Sequence, residues 1–295
     1  MRIAVIVVGV LGCGSRKDAA PPTTLAHLIS PATTSVMRTK IDNFPVLAIA
    51  KQLTDPAQTC WPELIKKVTA AYQVLLDGTS YFIVEGDLPR ADLEKCIPVT
   101  FLANPKIRDD DGMLAVESPV GTAYGAWRGN FLVFGTREQV VAAVGEHEPA
   151  WVAKWDKLLP TRPTEMAMAS IDLRYAGMMG DDVADWNLTI DKFGANPPFL
   201  SGTFTVHYQT PAAATKGLAF IKDWSTRGKF PVQIPADADV VAAFDGFAAS
   251  VGKLEPKVTG SELAMAFDSD RLGGPAFFAG VMSHFDKLSG KLPAK

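Results

Sequence analysis

The chain has 295 residues, of which 47% are hydrophobic and 21% are charged, and this ordinary globular composition allows one large domain or two of average size. The formal net charge is −3 and no run of lysine and arginine exceeds two residues, so the sequence gives no electrostatic indication of nucleic-acid binding. After the N-terminus, no apolar run reaches the roughly 20 residues of a membrane-spanning helix, so we expect only the N-terminus to touch lipid.

The first thirteen residues predict an export signal. Arg2 is followed by an apolar stretch from Ile3 to Leu11 and then by Gly12 and Cys13. This stretch is too short to cross a bilayer but fits the apolar core of a signal peptide. A buried N-terminal strand is the alternative, because the stretch is rich in β-branched residues. The Gly-Cys ending and the polar segment that follows favour the signal.

The string Val10-Leu11-Gly12-Cys13 resembles the lipobox of bacterial lipoproteins. The resemblance implies that residues 1–12 are a signal peptide and that Cys13 becomes the lipid-modified first residue of the mature chain. Gly14 stands where an aspartate would imply retention in the inner membrane, so the resemblance implies the outer membrane. Beyond Cys13, the chain resembles only uncharacterised envelope lipoproteins of large-genome soil bacteria, and this resemblance carries no activity with it.

Residues 13–35 are predicted to form a flexible tether that carries the lipid. The segment is small, polar and rich in proline, a composition typical of an extended linker. One short helical turn is compatible with the pattern around residues 25–29. The tether would hold the body of the protein away from the membrane surface.

The first half of the body, residues 36–160, predicts an α+β module. It opens with a strand at Val36 to Ile41, and Asp77-Gly78 between two apolar runs predicts a β-hairpin. Asp87 is a candidate N-cap for a helix from Leu88 to Ile97, and Thr136 with Gln139 forms a capping box before another helix. Consecutive hairpins with helices between them favour antiparallel sheet with helices covering one face.

The second half, residues 161–295, shows a similar order of elements. Ser201-Gly202 lies where Asp77-Gly78 lies in the first half, at an offset of 124 residues, and Asp172 matches Asp42 at an offset of 130. Thr210-Pro211 predicts a helix start, as Asp87 does earlier in the chain. These landmarks suggest an internal duplication, with two similar modules of antiparallel sheet.

Two cysteines remain after Cys13 is assigned to the lipid. In an exported protein an even pair favours a disulfide, so Cys60 and Cys96 are predicted to form one. The bridge would close a loop of 37 residues and stabilise the fold by about 4 kcal/mol. The alternative is two buried thiols that pack as small hydrophobic side chains.

Several local patterns resemble catalytic or metal sites but are better explained by ordinary structure. His147 lies between Glu146 and Glu148, which favours a solvated acidic loop over a metal site. Three aspartates at 109–111 before Gly112 predict a turn, since the spacing of a calcium loop is missing. Ser250 and Lys253 match a serine-hydrolase fragment, but they lie in a helical pattern. The sequence predicts no catalytic residue, no cofactor and no metal.

Two further features concern the interior. His207 alternates with Val206 and Tyr208 in a strand, so its side chain is expected to face solvent. Two sets of apolar residues at helical spacing favour core packing, with the wall of an apolar cavity as the alternative. These sets are Leu218, Ile221 and Trp224, and Phe277, Phe278, Val281 and Phe285.

Together these patterns predict a membrane-anchored envelope lipoprotein that acts as a non-enzymatic binding or scaffold module. Its partner would be an envelope protein, in addition to the membrane reached through the lipid on Cys13. One alternative is a periplasmic carrier of an apolar ligand such as lipid. A further alternative is a hydrolase, which would require His147 or Ser250 to converge with partners in a pocket.

Overall fold

The fold is described from a computed structural model. The structure describes residues 23–39, 60–97, 105–119, 121–159, 164–173, 179–193, 200–229 and 238–272. Within these residues, twelve strands form a single antiparallel sheet accompanied by six α-helices, so the α+β class is confirmed. Of the helices in the described residues, none is both long and apolar enough to cross a membrane.

The strands follow the chain in numerical order. They are β1 Ser35–Thr39, β2 Val68–Leu75, β3 Ser80–Gly86, β4 Lys106–Asp110, β5 Met113–Ser118, β6 Gly121–Arg128, β7 Phe131–Gly135, β8 Met166–Ser170, β9 Val183–Phe193, β10 Leu200–Tyr208, β11 Lys257–Thr259 and β12 Glu262–Asp268. The helices are α1 Cys60–Ile65, α2 Arg90–Cys96, α3 Arg137–Val144, α4 Pro149–Leu158, α5 Pro211–Arg227 and α6 Ala238–Val251, and a 3₁₀ turn covers Leu25–Leu28.

The sheet runs without a break across both predicted modules. Its strand order is β11-β12-β10-β9-β8-β1-β2-β3-β7-β6-β5-β4. The two halves meet where β1 pairs antiparallel with β8, with Met37 opposite Met168. Each half begins with three consecutive strands that pair in sequence and are followed by a helix. This order agrees with the predicted duplication, which stays a prediction, but both halves share one sheet.

Helices pack on both faces of the sheet. The first face carries Val74, Tyr81 and Ile83, which are buried in a cluster with the 3₁₀ turn, α3 and α4. The second face carries Val84, and its cluster includes residues from α1 and α2. The expectation that helices cover one face is therefore wrong for the first half. The reason is that β3 and β7 alternate apolar residues on both sides, which leaves two surfaces to bury.

The N-terminal segment lies in the core, where a tether was expected. Ala26, Leu28 and Ile29 are at most 1% exposed. The buried hydroxyl of Tyr81 donates to the carbonyl of Leu28 at 2.8 Å and accepts from the amide of Ser30 at 3.0 Å. The indole of Trp151 donates to the carbonyl of Ile29 at 2.7 Å. The expected short helical turn is present, but residues 24–35 belong to the folded body.

Ser201-Gly202 is not the structural equivalent of Asp77-Gly78, to which the sequence pattern matched it. It lies inside β10, at a β-bulge opposite Ile190 and Lys192 of β9, and does not form the hairpin turn. A side chain at Gly202 would put its Cβ 2.0 Å from the carbonyl oxygen of Thr189. The glycine is therefore required by the close approach of two backbones. By contrast, Gly78 does lie in the turn between β2 and β3, with a φ of +75°.

The hydrogen bonds of Tyr81 provide a test of the buried N-terminal segment. We expect Tyr81→Phe to reduce the free energy of unfolding by about 1–3 kcal/mol, because two buried backbone groups lose their partner. Urea denaturation of the unlipidated chain measures this change. Tyr124→Phe, the same chemical change on a half-buried ring, is the control and should change stability by less than about 0.5 kcal/mol. Equal stability of the two variants would contradict the described packing.

Candidate functional site

The predicted lipid and disulfide residues are only partly within the described structure. Cys13 lies outside the described residues. Cys60 begins α1, but its side chain also lies outside them. Cys96 ends α2 and is 2% exposed, in a cluster with Leu64 of α1 and Leu88. The two helices that carry the cysteines thus meet on the second face, and the Cys60–Cys96 bridge stays a prediction.

Two histidines of the described residues, His27 and His147, lie outside the sheet and contact their own segments. The ring of His147 lies 3.2 Å from the carbonyl oxygen of Ala143, so it contacts the end of α3. His27 is hydrogen-bonded to Thr24 at the start of the 3₁₀ turn, at 2.8 Å from its hydroxyl. Within the described residues, no group of histidine, cysteine and acidic side chains could hold a metal ion.

The acidic triplet forms the predicted turn. Asp111 and Gly112 connect β4 to β5 with φ values of +53° and +80°, as in a type I′ hairpin turn. Arg90 contacts Asp109 at 2.7 Å, and Arg137 contacts Asp111 at 2.6 Å. The amide of Gly112 and then Arg90 lower the pKa of Asp109. Because arginine side chains form ion pairs with these carboxylates, the turn is an ion-paired hairpin.

Ser250 lies within α6, as its helical pattern predicted. Its hydroxyl donates to the carbonyl of Gly246 at 3.0 Å, one turn earlier. The side chain is 6% exposed and packs within the helix, away from any strand-to-helix turn. Lys253 follows the end of the helix and is exposed. The arrangement expected of an activated serine nucleophile, with a base within hydrogen-bond reach, is not formed by these two residues.

A small group of charged side chains on β9, β10 and β12 surrounds His207. Its neighbours Val206 and Tyr208 are buried, and His207 projects from the first face with 30% of its side chain exposed. The Nδ1 atom donates to Asp185 on β9 at 2.5 Å, and Nε2 lies 3.7 Å from Glu262 on β12. The imidazole therefore links three adjacent strands.

The two carboxylates contact opposite sides of the ring, so they do not converge on one point as metal ligands would. The hydrogen bond to Asp185 raises the pKa of His207, and the charges of Asp185 and Glu262 act in the same direction. Burial and the charge of Lys157 on α4 oppose this effect. The cluster favours the protonated imidazole and acts as an electrostatic link between strands.

The His207 cluster makes stability depend on pH. Because the pKa of His207 is raised on folding, its contribution is complete below the unfolded pKa of about 6.5 and is lost as the pH rises through the folded pKa. We expect the free energy of unfolding to fall above about pH 6.5 and Asp185→Asn to flatten this dependence. Urea denaturation across this range measures it.

Glu262→Gln is the matched control for that experiment. Glu262 is 49% exposed and 3.7 Å from the ring, so its removal should change the pH dependence less than the removal of Asp185. An identical pH profile for the wild type and Asp185→Asn would show that the cluster does not stabilise the fold.

The second face carries an apolar surface at the middle of the sheet. Met37, Met168 and Leu188 are successive cross-strand neighbours on β1, β8 and β9, and Met166 lies two residues from Met168 on the same face. We call these four residues the methionine floor. All four are partly exposed. Three of the nine methionines of the chain lie here, and methionine surfaces adapt readily to an apolar partner.

Helical clusters lie on both sides of the methionine floor. On one side, α5 and α6 pack over β10 and β12 through Ile221 and Trp224, which are 2% and 4% exposed. On the other side, α1 and α2 pack near β3 and β7. Ile221 and Trp224 thus pack as core, as predicted. The set from Phe277 to Phe285 lies outside the described residues, as does His284.

Comparison with known proteins identifies no family. No family model matches the sequence, and no curated protein matches it. Among solved structures, crystal form III of TP0453 has a TM-score of 0.44 at 10% identity, covering 85% of this chain and 96% of that chain. Crystal form I of TP0453 has a TM-score of 0.43 at 11% identity, covering 88% and 98%. A likeness this distant carries no argument about function.

Proposed function

We propose that the protein is a non-enzymatic binding module of the bacterial cell envelope, anchored to the membrane by a lipid on Cys13. The signal-like stretch from Ile3 to Leu11 and the lipobox-like string that ends at Cys13 support the anchor. The residues that resembled catalytic groups support the non-enzymatic part, because Ser250 and His147 each bond to a backbone carbonyl of their own segment.

The observation that carries the proposal is the short connection between the lipid and the folded body. Thr23 is the first described residue, and the hydroxyl of Thr24 donates to Asp156 of α4 at 3.3 Å. Nine residues lie between Cys13 and Thr23, so the ten steps from one to the other span at most about 36 Å even if fully extended. A lipid on Cys13 would therefore hold the folded body close to the bilayer. We infer that its binding partner is an envelope protein at the membrane surface.

An apolar-ligand carrier is less well supported by the geometry. Its predicted cavity wall included Leu218, Ile221 and Trp224, and these side chains pack in the cluster that joins α5 to the sheet. A hydrolase lacks support as well, because Ser250 and His147 lie on separate elements with separate backbone partners. An anchored binding module agrees with all of these contacts.

Removal of Cys13 tests the anchor. We expect the wild-type chain to incorporate labelled palmitate and to sediment with membranes, whereas Cys13→Ser incorporates none and stays in the soluble periplasmic fraction. A lipid anchor requires the thiol, and an uncleaved stretch as short as residues 3–11 does not span a bilayer. Cys60→Ser is the matched control and should still sediment. Palmitate on Cys13→Ser, or equal sedimentation of both variants, would contradict the proposal.

Substitution of Gly14 tests whether the protein is sorted to the outer or the inner membrane. We expect the wild-type chain to separate with the outer membrane in a density gradient and Gly14→Asp to shift to the inner membrane, since the residue after the lipidated cysteine governs this sorting in similar lipoproteins. Gly14→Ser is the control for a change of side chain without charge. The same distribution for Gly14→Asp and the wild type would remove the outer-membrane assignment.

A further inference from the structure

The strand order of the two halves is symmetric about the β1–β8 pair. Outward from this pair the sheet continues as β1-β2-β3-β7-β6 on one side and as β8-β9-β10-β12-β11 on the other. The registers agree with this symmetry. The row that starts at Met37 runs through Gln73, Phe82 and Phe134, and the row that starts at Met168 runs through Leu188, Phe204 and Met265. The β11–β12 hairpin is therefore the counterpart of the β6–β7 hairpin.

The two hairpins are attached to their neighbouring strands by the same backbone contact. Each turn contains a glycine in the left-handed conformation, at position 129 in one and 260 in the other. In the first half, the amide of Gly86 donates to the carbonyl of Asn130 in the turn at 2.9 Å. In the second half, the amide of Tyr208 donates to the carbonyl of Ser261 at 2.8 Å. These two amides are matched reporters of how firmly each turn is held.

The side chains beside these contacts differ between the halves. Glu85 of β3 lies opposite Phe131 of β7, and Phe131 is 5% exposed within the cluster of the first face. Its counterpart His207 of β10 lies opposite Glu262 of β12, whose side chain is 49% exposed. Apolar packing therefore holds the turn end of β6–β7, whereas a charged pair lies at the turn end of β11–β12.

The position of the hairpins in the sheet adds to this difference. Beyond β6 the sheet continues with β5 and β4, whereas β11 is the last described strand at its end of the sheet. The β11–β12 hairpin is attached to the described sheet through the pairing of β12 with β10. Its turn end can therefore loosen without disturbing the pairing of β10 with β9.

The protonation state of His207 determines whether its ring attracts Glu262. An ionised carboxylate only accepts hydrogen bonds, so the Nδ1 atom that contacts Asp185 at 2.5 Å carries a proton. In the neutral ring Nε2 then has a lone pair, and this lone pair lies 3.7 Å from the Glu262 carboxylate. In the charged ring Nε2 carries a proton, and the contact becomes attractive. Lys157 of α4 also acts on the imidazole among the described residues, and its charge opposes protonation.

We propose that His207 is a pH-sensitive switch for the β11–β12 hairpin, whose turn end is held when the imidazole is charged and loosens when it is neutral. The hydrogen bond to Asp185 raises the pKa of His207 most, and the charge of Glu262 also raises it. Because Glu262 moves away when the hairpin loosens, its contribution is complete below the pKa of the loosened state. It is lost as the pH rises through the pKa of the closed state.

Hydrogen exchange in the full unlipidated chain tests the switch. NMR at about pH 5.5 and about pH 8, on either side of the usual histidine range, gives the protection factors of the Tyr208 and Gly86 amides. These factors correct for the intrinsic pH dependence of exchange. We expect protection at Tyr208 to fall about two- to fivefold more than at Gly86, the range that a partly exposed ion pair allows. An equal fall at both amides assigns the effect to the whole fold and overturns the proposal.

Glu262→Gln distinguishes the switch from a structural role of the hairpin. The amide keeps the size of the side chain but removes its charge, so we expect the additional fall at Tyr208 to disappear. Glu255→Gln is the matched control, since Glu255 is exposed just before β11 and is not among the charges that act on His207. It should retain the wild-type difference between the two amides. A difference that persists in Glu262→Gln, or that disappears in both variants, overturns the proposal.

Discussion

The pairing of β1 with β8 is the constraint on which the rest of the sheet depends. It joins residues 35–39 to residues 166–170 and unites the two halves. Because side chains alternate along a strand, this register decides which face every residue of both halves occupies. In the observed register Val36 and Ala169 are buried together on the first face. A slip by one residue would turn both towards the opposite face and would leave the cluster without them.

The same pairing explains why the N-terminal segment is folded. Since β1 lies in the middle of the sheet, the residues just before it must also lie against the body. The 3₁₀ turn packs against the body in this way, because Leu28 and Ile29 are buried and their carbonyls accept hydrogen bonds from Tyr81 and Trp151. The first described residues, 23–34, therefore lead directly into the central strand β1.

Local patterns allowed correct prediction where neighbouring residues determine the structure. The capping box of Thr136 and Gln139 and the turn at residues 111–112 are examples. The partners of His207 were missed because Asp185 and Glu262 are distant in sequence and only the strand register brings them together. Gly202 was matched to Gly78 of the first half, but Gly78 lies in a turn and Gly202 at a bulge, two places that both favour glycine. The register between strands that are distant in sequence cannot be predicted from any short stretch of residues.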